Sequence, residues 1–363
     1  MFINMSKRKI LTVCFAFLFS LLSFANGEAS NTKEEAGFDI NSTIFDHIGD
    51  NHDWHMFDIT KDDGTEHPVS FALPVILVNK NPFSIDCFMS SEFEHGHKTV
   101  TKGDHTYKMI PQEMGGQKIF YCDENGEATE DGPLDFSITK NVFTLFLVAI
   151  IMLVMFLGLA GAYKRRPCQA PKGFQAWLEP VILFIKDDVV VPNLGKHTDK
   201  YLPYLLTVFF FIWITNMMGL IPFFPGGANL TGNIAVTMVL AVLTLLITNF
   251  SGNKEYWRDI FAMPGLPWPL IPIMAVVEII GIFTKPFALM IRLFANITAG
   301  HIIVLSLTSL IFIFGTLAIA PVSVFFVMFM DVLELFVAAL QAYIFTMLSA
   351  LFIGLAMPEG HEA

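Results

Sequence analysis

Between residues 201 and 253 the chain carries no Asp, Glu, Lys or Arg. That is more than twice the roughly 20 apolar residues a helix needs to cross a hydrocarbon core. No water is present there to satisfy the backbone, so such segments must pair their own N–H and C=O groups as helices. Pro222-Phe-Phe-Pro225-Gly226-Gly227 interrupts the run, which predicts two helices, residues 201–221 and 233–250. Residues 142–161 form another uncharged stretch and end in Lys164-Arg165-Arg166, a cytoplasmic signature under the positive-inside rule. A polar, partly helical loop follows to Lys200, and Lys254 with Arg258 marks a second cytoplasmic loop. Residues 260–357 are too long for two straight spans. After a Pro-rich segment (Pro264, Pro267, Pro269, Pro272) they fit two long, tilted helices. The fold class is an all-α polytopic membrane protein of about five transmembrane helices with a small N-terminal β-rich extramembrane domain. A hydrophobic content of 54% agrees. The net charge of −11 comes mostly from the N-terminal third, and without a dense basic patch nucleic acid is excluded as a partner. The lipid bilayer is the first partner.

The N-terminus has the form of an export signal over residues 1–25. Lys7, Arg8 and Lys9 precede the apolar residues 10–25, and Ser23-Phe24-Ala25 supplies small residues at the cleavage positions. The alternative is an uncleaved anchor, and both deliver residues 26–139 across the membrane. That region is polar, with strand-like pieces at 70–78 and 118–122 and turn signals at Asp63-Gly64, Asn81-Pro82 and Asn125-Gly126. Cys87 and Cys122 would meet an oxidising compartment, where a disulfide is worth about 3–4 kcal/mol, but two cysteines make no spacing signature. Cys14 leaves with the signal and Cys168 faces a reducing cytoplasm. His47, His52, His55, His67, His95, His97 and His105 also lie here. Asp46, His47, Asp50, His52, Asp53 and His55 invite a metal reading, yet no ligand spacing supports it, and capping or solvation uses the same residue types.

The apolar C-terminal third holds a few polar groups at membrane depth: Glu278, Lys285, Arg292, Asn296, His301, Asp331, Glu334 and Gln341. A guanidinium stays charged wherever the fold puts it. Holding it at the bilayer centre costs at least about 2.5 kcal/mol, so such residues mark ion pathways. Glu278, Lys285 and Arg292 are spaced by seven and share one helix stripe, with Asn296 four residues on. His301, nine residues from Arg292, falls on the opposite side. Glu334 and Gln341 share a face of the last helix, with Asp331 one turn earlier. Antiparallel packing lets Gln341 approach Arg292 and sets His301 level with Glu334, a contact that needs a local twist. Mutual pairing without transport is the alternative. This many polar groups on two adjacent helices favours a conduit.

Residues 285–301, Lys-Pro-Phe-Ala-Leu-Met-Ile-Arg-Leu-Phe-Ala-Asn-Ile-Thr-Ala-Gly-His, together with Leu340-Gln-Ala-Tyr-Ile-Phe345, closely resemble subunit a of F-type ATP synthases. The resemblance covers about residues 140–357. It implies a stator subunit that offers two proton half-channels to a ring of c subunits. The family's essential arginine falls on Arg292, its glutamine neighbour on Gln341, and its paired channel groups on His301 and Glu334. Asn233 matches a polar channel position, whereas Ala235 stands where relatives often carry a second polar residue. The resemblance further implies a subunit b stalk and an F1 sector as partners, and a bacterial inner membrane location. Residues 26–139 would then be periplasmic, and the tail at 358–363 cytoplasmic. That N-terminal extension resembles only the long bacterial forms. No P-loop or other nucleotide motif is present, so nucleotide chemistry belongs to partners and no cofactor is expected. A secondary transporter would show internal repeats, and a membrane-anchored binding protein would leave its spans as plain apolar anchors. Whether the ion is H⁺ or Na⁺ stays open, with H⁺ favoured.

Overall fold

The computed structural model describes residues 48–60, 66–80, 82–96, 98–103, 105–112, 116–123, 127–129, 131–165, 170–221, 224–261, 267–314 and 319–357. The expected signal peptide and C-terminal tail lie outside these residues, as does His47.

Among the described residues, five segments are long and apolar enough to cross a membrane. Helix α1 (Lys140–Arg165) exposes Phe146, Ile150, Leu153, Val154 and Leu157 along its length. These side chains have no apolar partner but lipid. Its first turn is closed by Asp50, whose carboxylate accepts from the Asn141 N–H and the Thr139 hydroxyl, both at 3.0 Å. An anion at a helix N-terminus satisfies orphan donors and suits the helix dipole.

The expected loop before Lys200 is instead almost wholly helical. Helix α2 (Phe174–Phe184) runs into a π-helical turn (Ile185–Val190), a short helical turn (Val191–Leu194) and a 3-10 turn (Gly195–His197), then joins α3 (Thr198–Gly219). Lys186, Asp187 and Asp188 make the segment look polar. On its other side Leu178, Ile185, Val189, Val190 and Leu194 are buried in the main core with Tyr201 and Leu205. That apolar side decides the conformation.

Helices α4 (Ile234–Ser251) and α5 (Lys254–Phe261) follow, then α6 (Ile271–Phe314) and α7 (Ala320–Ala356). The break between α3 and α4, and the two long final helices, match the sequence reading. At 1.5 Å per residue, α6 is about 66 Å long, twice the thickness of a hydrocarbon core. Contacts between α6 and α7 run in opposite senses: Asn296 with Gln341, His301 with Glu334, and the Leu307 carbonyl with the Ser323 hydroxyl. At one end of the bundle the Asn253 N–H donates to the Ala356 carbonyl at 3.0 Å, and the Tyr201 hydroxyl donates to Ser251 at 2.6 Å. The other end carries the β-rich unit.

That unit contains three small antiparallel sheets, ordered β1-β2, β4-β3-β8 and β5-β6-β7. Their strands are β1 (Asp53–Thr60), β2 (Glu66–Ala72), β3 (Pro74–Lys80), β4 (Phe83–Met89), β5 (Val100–Lys102), β6 (His105–Pro111), β7 (Gln117–Tyr121) and β8 (Leu134–Asp135). The single strand expected over 70–78 is two strands in different sheets. They part at Leu73, which bonds Ser90 from both its N–H and its carbonyl, just before Pro74, which has no N–H to give. Val75, Leu77, Phe88, Phe93, Val100 and Tyr107 belong to a core that draws on none of the spanning helices. Inside it the Asn79 amide donates to Ser84, Asp86 and Tyr107, and the Tyr107 hydroxyl donates to Asp86 at 2.6 Å.

Cys87 and Cys122 are free thiols, the first exposed on β4 and the second beside β7 in another sheet. The disulfide allowed by the sequence is therefore not formed. The His52 ring, buried, contacts Asp135 at 2.8 Å. His105 packs against Tyr107 and Tyr121.

Burial acts to raise the Asp135 carboxyl, but hydrogen bonds from His52 and Ser137 outweigh it and hold the group below its ordinary 3.8. A carboxylate held low in the folded state adds stability that is complete above its unfolded value and lost as pH falls through the folded one. In Asp135→Asn protein at pH 7, the β-rich unit should lose about 1 kcal/mol, because a neutral amide oxygen accepts from His52 and Ser137 more weakly than a carboxylate does. Thermal unfolding followed by protease cleavage should show this. The gap to wild type should close below pH 3.8.

Candidate functional site

Among the described residues the candidate polar groups fall into three places along α6. Nearest the β-rich unit, His301 Nδ1 lies 3.7 Å from Glu334 Oε1. That is ion-pair range but too long for a hydrogen bond. Glu334 is 6% exposed. The pairing does not need the expected twist, because α6 buries Leu293 and Ile297, whose directions lie between those of Arg292 and His301, and leaves Arg292 exposed. Gly300 makes the seat: a Cβ there would stand 2.7 Å from Glu334 Oε1, so only hydrogen leaves room for the carboxylate. Asp331 is half-buried three residues before Glu334.

One turn nearer Arg292, the Asn296 amide donates to Gln341 Oε1 at 2.9 Å. Gln341 Nε2 is buried without a partner among the described residues. The sequence reading set Gln341 beside Arg292, whereas its hydrogen-bond partner is Asn296.

Arg292 itself is exposed, as are Phe287, Ile291 and Asn296 on the same helix. No described carboxylate pairs with it. The chain thus presents a fixed cation on an apolar outer surface.

Glu278 and Lys285 lie toward the opposite end. The Tyr256 phenol is raised first by burial and then by the nearby charge of Glu278. Lys285, exposed, has its ammonium 5.8 Å from the Phe352 ring centre. A small cavity here is lined by Thr244, Thr248, Asn249, Tyr256 and Lys285. Along the helix axis Glu278 lies about 21 Å from Arg292, and His301 about 13 Å on the other side.

Asn233 has a structural task that the sequence did not announce. It is the N-cap of α4, its Oδ1 accepting from the Ala235 N–H at 2.9 Å. Several polar groups that gather near the His301–Glu334 pair were missed in the sequence. Thr231 donates to Asn216 Oδ1 at 2.6 Å, and Asn216 Nδ2 donates to the Ala338 carbonyl, one turn after Glu334. Asn229 folds over Gly232 and accepts its N–H at 3.0 Å, while its own Nδ2 is buried without a described partner, as is the Thr215 hydroxyl. A Cβ at Gly219 would stand 3.5 Å from His301 Nε2 and 3.4 Å from the Ala228 carbonyl, so the ring lies close to this loop. Uncharged amides and hydroxyls in an apolar run carry no hydropathy signal. Their one cue was the Pro-Gly break beside them. Among the described residues no group of three His, Cys, Asp or Glu side chains could hold a metal ion.

Comparison with known proteins covers the helical part and the β-rich unit separately. Residues 43–136 match a domain family of unknown function. An ATP synthase subunit a 2 of Chlorobaculum tepidum is 51% identical over 240 residues, which is 63% of this chain and 67% of that protein. The ATP synthase subunit a of Chloroherpeton thalassium is 47% identical over 237 residues, 64% of this chain and 70% of the relative. That of Myxococcus xanthus is 45% identical over 239 residues, 64% and 77% of the two chains. Residues 142–354, more than half of the 363, match the ATP synthase A chain family. The apolar helices and the polar groups between them lie in that stretch, and the chain belongs to this family.

Proposed function

We propose that this chain is the ion-conducting stator of an ATP synthase Fo sector, turning Arg292 toward a ring of c subunits. One observation carries the reading: Arg292 is exposed on an apolar outer surface, between two separated polar regions of α6. A bare guanidinium in hydrocarbon is unfavourable by at least about 2.5 kcal/mol, and an acidic surface on a partner removes that cost. The region around His301, Glu334, Asn216 and Thr231 is one half-channel, open on the side of the β-rich unit. The region around Glu278, Tyr256 and Lys285 belongs to the other.

In this mechanism a proton enters at the Glu334 side, passing between carboxylate and imidazole, which suit proton exchange near neutral pH. Buried amides and hydroxyls without protein partners, such as Asn229 Nδ2 and Thr215 Oγ1, offer sites for water along the way. The proton reaches a ring carboxylate, travels round with the ring, and leaves on the Glu278 side. Before a ring carboxylate passes Arg292 it must be ionised, and the fixed cation favours that form by Coulomb attraction. Arginine cannot hand on a proton, so it separates the half-channels without joining them. Each charge that crosses gains about 2.3 kcal/mol per 100 mV. The chain itself is non-catalytic: nucleotide chemistry belongs to the F1 sector, held through the subunit b stalk. The β-rich unit lies in the periplasm of a bacterial inner membrane, with residues 164–166, Lys254 and the C-terminus in the cytoplasm.

Three measurements test this. Arg292→Ala should insert and assemble yet abolish ATP-driven proton pumping and proton-driven synthesis in vesicles. Arg292→Lys should also be badly impaired, since an amine in this setting can lose its proton. Coupled synthesis at near wild-type rate in the Ala variant would sink the stator reading. Gly300→Ala should displace the Glu334 carboxylate and slow proton passage as Glu334→Leu does, with the complex intact. Equal flux in all three proteins would show the pair to be only structural. Finally, a membrane-impermeant maleimide added from outside should label Cys87, the exposed thiol on β4. Labelling only after the cytoplasmic side is opened would reverse the topology.

A further inference from the structure

The β-rich unit is joined to the bundle at two places. The first is the start of α1. Residues 136–138 continue beside β3, with the Phe136 N–H on the Ile76 carbonyl at 2.9 Å and the Ile138 N–H on the Pro74 carbonyl at 3.0 Å. The Lys140 N–H donates to the Asn51 carbonyl at 3.0 Å, and Asp50 caps the helix. Sheet and helix therefore meet without a slack linker. The unit has a core of its own.

The second junction lies elsewhere in the sequence. Phe224, in the 220–233 loop between α3 and α4, is surrounded by three rings. Its centroid lies 5.3 Å from that of Trp54, 5.1 Å from Phe71 and 5.8 Å from Phe143. Trp54 and Phe143 also meet edge to face at 5.8 Å. Trp54 is 4% exposed, so its burial depends on this loop and on α1. Separations and tilts of this kind are those favoured by ring quadrupoles.

The gripped loop is the one that reaches the candidate ion path. Four residues after Phe224, the Ala228 carbonyl meets the same Gly219 position that His301 Nε2 approaches. Thr231, further along, joins the polar group that runs through Asn216 to Ala338. Pro225, Gly226 and Gly227 give the segment no regular structure of its own, and ordering such a loop costs conformational entropy at every residue. Contacts from outside the bundle must offset part of that cost.

We propose that the β-rich unit braces the outer mouth of the ion path, gripping Phe224 with Trp54, Phe71 and Phe143 so that residues 224–233 stay seated over Gly219, which His301 also approaches. Trp54 and Phe224 are positioning residues and touch no transported proton. The inference rests on the reading of His301 and Glu334 as part of that path.

The test uses the intact ATP synthase complex, purified and reconstituted in liposomes. Trp54→Ala, Phe224→Ala, Trp54→Phe and Glu334→Gln are compared with wild type. Proton pumping per assembled complex is measured across a pH series. The two Ala variants should assemble, pump about two- to tenfold more slowly, as expected when ring contacts that order a loop are lost, and shift the pH profile in the same direction. Their double variant should be little worse than either alone, because both remove one contact, and Trp54→Phe should restore most of the rate. Should Trp54→Ala fail to assemble, Phe71→Ala decides, since that ring is already 47% exposed and its loss spares the core; a smaller change in the same direction is expected. If Glu334→Gln slows pumping while the ring variants keep a wild-type rate and pH profile per complex, the brace is overturned and the path stands. If Glu334→Gln changes nothing, the path reading fails first, and the brace falls with it.

Discussion

Helices α6 and α7 lie side by side in opposite senses, and that register decides where the polar side chains of the bundle can go. Because 296 meets 341 and 301 meets 334, these four side chains meet across the two helices, and Glu334 and Gln341 are buried between them. A slip of one residue would turn those groups through about 100° and leave a buried carboxylate facing hydrocarbon. Small residues set the fit. Gly300 admits the Glu334 side chain, and buried Ala338 and Ala342 keep α7 close to its neighbours. Arg292 is left on the outer side by the same geometry that buries Glu334.

The spans were legible because the bilayer imposes a simple rule. An uncharged run must be helical and must be long enough, so the break at Pro222–Gly227 and the two long final helices could be read directly. The segment before Lys200 was read as a loop because Lys186, Asp187 and Asp188 outweighed a buried stripe that only packing against α3 and α7 reveals. In the β-rich unit, period-two patterns found strands but could not say that residues 70–78 divide between two sheets. That division depends on Ser90, distant in sequence, capturing the backbone of Leu73.

The site was read unevenly, for a similar reason. Charged residues in apolar sequence announce themselves, so Arg292, Glu334 and Glu278 stood out. Asn216, Asn229 and Thr231 did not, since an amide or hydroxyl in a helix or loop is common and its importance comes from what it meets. Periodicity gave the pairing of His301 with Glu334 little weight because it set the Arg292 stripe toward α7, whereas the buried side of α6 runs through Leu293 and Ile297.

Arg292 also bears on how such a subunit is made. Alone in the bilayer, the folded chain carries a bare cation on a helix that also exposes Phe287 and Ile291. An unassembled copy is therefore less comfortable in lipid than an assembled one by at least the cost of that charge, about 2.5 kcal/mol. Under the stator reading, docking against an acidic ring removes this cost and biogenesis acquires a direction: ring first, this chain second. A copy that arrives early keeps that cost until the ring is in place.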